Sequence, residues 1–278
     1  MTRTVLKLGT VAVLAVLGTV AKSVGWILYG SITLMVDAFT CTANLVALGA
    51  AIYYSQYTSK GPDEKHPYGH LRLSLAGSFI VILTYSFIAG VSTMELIHHR
   101  PGQGLMRGAL YSAVAGLIFY SPLPYILRKM EDPLQVYGLF TISEILESLV
   151  AIAMISLSLA SSPIFDYIGG LIILGFIFYE ILENAGKYIR LTSDTAPSSR
   201  LIESIIKEIE DALKVEVASL RIREVYPGRY QGDIVVRVPE KYSIVEAHDL
   251  ADKIEEIGCK YYSQLTVHVE PRGEKCGR

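Results

Sequence analysis

Two stretches that are otherwise apolar carry polar side chains at helical spacing. In 30–44 the carboxylate of Asp37, the hydroxyl of Thr40, the thiol of Cys41 and the amide of Asn44 fall at i, i+3, i+4 and i+7. On a helix those positions share one narrow face. In 140–160 the same spacing recurs at Phe140, Ser143, Glu144 and Glu147. A carboxylate in hydrocarbon costs at least ~2.5 kcal/mol on insertion scales, so Asp37, Glu144 and Glu147 are not expected to face lipid. Either they form a structural network between helices, or they build an oxygen-rich cation site that Thr40, Asn44 and Cys41 complete. In the second case desolvation and mutual repulsion keep Glu144 and Glu147, one turn apart, from both being ionised while empty. A divalent cation would evict those protons, which is a physical route to metal–proton exchange.

Two further clusters lie outside the apolar runs. In Gly61-Pro62-Asp63-Glu64-Lys65-His66-Pro67-Tyr68-Gly69-His70 the imidazoles of His66 and His70 are four apart, with Asp63 three before the first. That trio suits a borderline cation such as zinc, although two histidines in a polar loop are more often simply solvated. Pro67 and Gly69 imply a defined turn. Near the C-terminal end, His268 and Glu270 alternate on a strand and so project to one side. With His248 they form either a third metal cluster or a solvated sheet face.

The elements that must position these groups follow from composition. The chain has 278 residues, 51% hydrophobic and only 19% charged, against about 25% charged in soluble domains, so most of it belongs in a lipid bilayer. Charges are dense from residue 195 onward. Six spans can each cross roughly 30 Å of hydrocarbon: about 5–28, 31–57, 74–97, 105–127, 136–160 and 164–189. Pro122 and Pro124 should kink or end the fourth. Small residues in spans one, three and four (Gly18, Ala76, Gly77, Ala113 and Gly116 among them) read as packing or lipid-facing surface. With the N-terminus inside, the inner connectors collect Arg3, Lys7, Lys60, Lys65, Arg72, Arg128, Lys129, Lys187 and Arg190, and the outer ones only Arg100 and Arg107. By the positive-inside rule both termini are expected in the cytoplasm, at an inner or comparable membrane. Met1-Thr2-Arg3-Thr4 leads into an apolar run too long for a signal-peptide core. Cys41, Cys259 and Cys276 lie far apart, which suggests neither a disulfide framework nor a thiolate zinc site.

The C-terminal part reads as a small α+β domain in the order α-β-β-α-β. Leu201, Ile205, Ile209 and Leu213 mark an amphipathic helix after Pro197 and the capping serines Ser198 and Ser199. Strands are expected over 219–225 and 232–238, joined by Tyr226-Pro227-Gly228-Arg229, with a helix capped by Ser243 and a last strand over 264–270. The division is a six-helix all-α membrane domain over 1–192 and a cytoplasmic α+β domain over 193–278. At about 80 residues the second has a modest core and gains from pairing with another copy.

Taken together, these segments resemble the cation diffusion facilitator family of metal–proton antiporters over nearly the whole length. The resemblance rests on Gly30-Ser31, Val36-Asp37-Ala38, His66-Pro67-Tyr68-Gly69-His70 with Arg72, Asp166, Ala247-His248 and Val267-His268-Val269-Glu270-Pro271. It implies a ferredoxin-like or metallochaperone-like C-terminal domain and a homodimer. The bound partners are protons, lipid and a divalent metal ion as substrate, with no organic cofactor, nucleic acid or covalent chemistry. By position the family's tetrahedral site between spans two and five falls on Thr40, Asn44, Phe140 and Glu144, of which only Glu144 is a carboxylate. The preferred reading is a site rebuilt from Asp37, Asn44, Glu144 and Glu147, whose oxygens favour harder cations such as Mn²⁺, Fe²⁺ or Mg²⁺ over Zn²⁺. Asp63, His66 and His70 match the family's interfacial zinc site. In the C-terminal domain only His248, His268 and Glu270 match, since Ala218 and Val236 stand where other members carry histidines. Arg72 and Asp194 match a pair that in the family links two subunits. The function expected is proton-coupled efflux of Zn, Mn or Fe by a homodimer. The rivals are a transport-inactive metal sensor or scaffold of the same family, and a monovalent-cation carrier.

Overall fold

The computed structural model describes residues 2–58, 60–98, 106–128 and 132–272. Arg100, Lys129 and Cys276 lie outside those segments, and the side chains of Arg3 and Phe140 are outside what is described. The chain divides into two compact units: one holds the chain up to Lys60 together with Leu73–Tyr188, the other Gly61–Arg72 together with the chain from Ile189 on.

The first unit is a bundle of α1 (Thr2–Ile27), α2 (Ile32–Thr58), α3 (Ser74–His98), α4 (Gly108–Tyr120), a short α5 (Leu123–Leu127), α6 (Asp132–Ala160) and α7 (Ile164–Thr192). Among the described residues, six stretches are long and apolar enough to cross a membrane. The fourth of these is α4 plus α5, interrupted at Ser121–Pro122 because a proline ring clashes with the preceding turn and lacks an N–H. The bundle's outside is apolar: Val20, Leu83, Phe87, Ile118 and Phe178 are all exposed, as lipid-facing positions should be. Inside, α1 packs on α2 and α4, and α2 packs on α3 and α6.

How α2 is anchored fixes where its polar stripe points. Gly30, with φ 70°, adopts the left-handed conformation that only glycine takes without strain, turning the chain between α1 and α2. The first amides of α2 then lack intrahelical acceptors. The buried carboxylate of Asp166, from the first turn of α7, supplies them. It accepts from Ser31 Oγ (2.7 Å), Ile32 N (2.8 Å) and Thr33 N (3.4 Å). Thr33 Oγ1 returns a bond to the Asp166 carbonyl at 2.5 Å. A carboxylate at a helix N-terminus is favoured by the helix dipole as well as by these bonds. Asp166→Ala is expected to lower bundle stability by about 1.5–3 kcal/mol, the range for hydrogen bonds to a charged group. Asp166→Asn should lose less, and chemical denaturation in detergent distinguishes the two.

The second unit contains α8 (Ser199–Leu213), β1 (Glu216–Tyr226), β2 (Arg229–Val238), α9 (Ile244–Gly258) and β3 (Tyr262–Pro271). The sheet order is β1-β2-β3, with β1 and β2 antiparallel through the turn at Gly228 and β3 parallel to β2. Ile205 and Ile209 of α8, Ile222, Ile234, Val236 and Leu265 of the sheet, and Leu250 and Ile254 of α9 make the core. The α-β-β-α-β order and the strand assignments agree with the sequence pattern. Ser243 caps α9 through a full capping box with Glu246. Ser198 precedes α8 without a side-chain cap bond.

Candidate functional site

At the centre of the bundle α2 and α6 turn their polar stripes toward each other, and Asp37, Asn44, Glu144 and Glu147 are almost wholly buried. Between them lies a group from a third helix. The side chain of Lys22, on α1, is fully buried, and its Nζ donates to Asp37 Oδ1 at 2.6 Å and to Glu144 Oε2 at 2.8 Å. Span one therefore is not only packing surface, which corrects the sequence reading: it delivers an ammonium into the carboxylate cluster. Two charges of opposite sign in a low-dielectric interior attract far more strongly than in water. A charge buried in such an interior needs a partner of this kind.

Glu144 is the hub. Besides Lys22 it accepts from Cys41 Sγ at 2.8 Å and from the Asn44 amide. Asn44 Oδ1 in turn accepts from the hydroxyl of Tyr85 on α3 at 2.5 Å. Asp37, Cys41 and Glu144 each offer a ligand atom, all within 4.8 Å of one another. Glu147, one turn beyond Glu144, is fully buried, and neither of its oxygens has a hydrogen-bond partner. Asp37 Oδ2 is likewise buried and unpartnered. Thr40 is on the same face, but its hydroxyl donates to the Val36 carbonyl of its own helix at 3.0 Å, the usual fate of a helical threonine. Glu180, on α7, is also buried and lines a groove with Leu146, Phe176 and Glu183. Lys22, Tyr85 and Glu180 were all missed in sequence. The signal for Lys22 and Glu180 was available, because an ionisable residue within a span needs a partner.

The loop cluster sits in the second unit and is well built. Asp63 Oδ1 accepts from the backbone N–H of His66 (2.7 Å) and Lys65 (2.9 Å). These amides hold its carboxyl below the usual carboxylate range, which favours the charged form that a cation would need. Gly69, with φ 81°, makes the turn that brings His70 back. His70 is buried, its Nδ1 is 3.1 Å from the Gly61 carbonyl and its Nε2 is 3.3 Å from Asp63 Oδ2. The Gly61 contact assigns the ring proton to Nδ1, so the Nε2 lone pair faces a carboxylate oxygen. All three ligand atoms lie within 4.8 Å of one another, so the donors fit a zinc-like ion.

The third cluster does not assemble. Among the described residues His248, His268 and Glu270 belong to no group of three with ligand atoms in mutual reach. His268 Nε2 is 3.3 Å from Glu270 Oε1, whereas exposed His248 is 3.7 Å from Asp252 on its own helix. Sharing a strand face brought two residues together, and nothing brings the third. Within one chain Arg72 Nη2 is 2.9 Å from Asp194 Oδ1, and Arg223 Nη1 is 2.9 Å from Asp194 Oδ2.

Residues 9–190 match the cation efflux transmembrane domain, and residues 197–272 match the cation efflux protein cytoplasmic domain. The manganese efflux system protein MneS of Bacillus subtilis is 27% identical, covering 96% of this chain and 94% of its own length. An uncharacterised transporter of Methanocaldococcus jannaschii is 26% identical over 84% of this chain and 85% of its own. The zinc transporter ZitB of Yersinia pestis is 26% identical over 61% of this chain and 60% of its own.

Proposed function

The chain belongs to the cation efflux family, and on that premise we propose that it exports a divalent metal cation in exchange for protons, as a homodimer with both termini in the cytoplasm. Metal is bound between α2 and α6 by Asp37 and Glu144, with Asn44, Glu147 and Cys41 completing the donors and Thr40 at the margin. The observation that carries the reading is the pair of carboxylates from two helices, 2.6 and 2.8 Å from one ammonium in a place closed to solvent. A protein interior that holds one cation by converging carboxylates has the shape and charge to hold another. Protons are the natural counter-substrate, since buried carboxylates left without a cation take up protons in preference to remaining charged.

The metal is manganese or iron more readily than zinc, because the donors are mostly oxygen. The near full-length similarity to a manganese exporter supports this. The Asp63, His66 and His70 loop would hold a separate, zinc-like ion that braces the second unit. The cytoplasmic orientation rests on the excess of Lys and Arg in the inner connectors.

One observation favours a second reading. A lysine already seated between the carboxylates is what a decayed transport site retained as a membrane-bound sensor or scaffold would contain. Purified protein in liposomes decides between the two. Uptake of manganese, zinc and iron should appear when a pH gradient is imposed and should dissipate that gradient. Sodium or potassium flux without metal supports the monovalent carrier, and no flux of any ion supports the scaffold.

A further inference from the structure

We propose that Lys22 is a tethered competitor for the transport site: its ammonium occupies the metal position in the empty protein, and a divalent cation binds only by displacing it. This rests on the reading that the site carries metal, and it adds the residue that sets affinity. Nζ contacts Asp37 and Glu144 together, the same oxygens that with Cys41 Sγ form the group able to hold an ion. An ammonium and a divalent cation cannot share those oxygens, because two cations a few ångströms apart in a dry interior repel strongly.

Two observations separate a displaceable occupant from a fixed structural ion pair. First, one ammonium does not satisfy the donors. Among the described residues, Asp37 Oδ2 and, one turn beyond Glu144, both oxygens of Glu147 are buried without hydrogen-bond partners, so there is more carboxylate here than one ammonium contacts. A divalent cation with a larger coordination shell matches it better. Second, the bundle has made room for the lysine side chain itself. A Cβ on Gly116 of α4 would come within 2.8 Å of Lys22 Cγ and 3.0 Å of Cε, so that glycine keeps open the track along which the stem lies. Beside the track the Tyr120 ring has its centroid 4.9 Å from Nζ, and a Cβ on Gly18 would meet that ring. An aromatic face is a secondary seat for an ammonium.

The test is metal affinity of the full chain in detergent, by calorimetric titration with Mn²⁺ and Zn²⁺ alone. The loop site is removed by His66→Ala and His70→Ala so that only the membrane site titrates. Lys22→Met, close to lysine in shape and uncharged, should bind at least tenfold tighter than the parent. Lys22→Arg keeps the charge and therefore the fold, and its forked donors hold carboxylates more firmly. It should bind at least tenfold weaker. Equal or weaker binding by Lys22→Met, or unchanged binding by Lys22→Arg, overturns the proposal while metal flux by the parent leaves the export reading intact. No binding by parent or either variant, together with no flux, overturns both.

Discussion

Glu144→Ala is expected to abolish metal flux and, at the same time, to cost about 3–5 kcal/mol of stability, the range for removing one partner of a buried ion pair. The loss is larger than the net worth of the pair because of what is left behind. Lys22 would keep only Asp37, and Cys41 and Asn44 would lose the acceptor they share. An unfolded variant would also fail to transport, so alanine alone cannot separate the two effects. Glu144→Gln does. Its amide oxygen can still accept from Lys22 and Cys41, while its NH₂ faces the Asn44 amide and that one bond is lost, so the cost should be smaller than for alanine, but the charge is gone and flux should remain below a hundredth of the parent. Chemical denaturation gives the first number and radiotracer manganese uptake into liposomes the second. A Gln variant that transports at the parent rate would remove Glu144 from the metal site.

The place of Asp37 opposite Glu144 was legible in sequence because charge in an apolar helix is costly enough to need a reason. The same rule, applied evenly, would also have found Lys22. It stands eight residues before Gly30 and Asp37 seven residues after it, and at 1.5 Å per residue an antiparallel pair of helices puts both at one depth. The spacing of Thr40 puts it on the expected face, but that its hydroxyl donates to the Val36 carbonyl could not be read, since periodicity fixes the face of a residue and not the carbonyl its hydroxyl chooses. Asp166 was noticed only as a family marker. Its work, supplying acceptors to the first amides of α2, needs the fold: Ser31 and Asp166 are 135 residues apart. The C-terminal elements were readable from alternation and capping residues, because a half-buried sheet and an amphipathic helix write their exposure into the sequence. The trio of His248, His268 and Glu270 was not, because residues on two different elements meet only if the packing angle allows it.

Taking both imidazoles from the loop, as His66→Ala with His70→Ala, should weaken zinc binding there by at least about 100-fold. Loss of a residue that merely orients a ligand already costs 10–100-fold, and here the ligands themselves are removed. The loop belongs to one compact unit and the Lys22 cluster to the other, with no residue in common. Distant sites without shared partners behave additively. Elemental analysis after loading with limiting zinc and desalting should therefore show one ion lost from the double-alanine variant and none from Glu144→Ala. The turn should also resist acid. Asp63 has its pKa depressed by the His66 and Lys65 amides, so its contribution is present above the ordinary carboxylate value and is lost only as pH falls through its own lower one. If Glu144→Ala strips the loop of zinc, the two sites are coupled and the loop is part of the transport path.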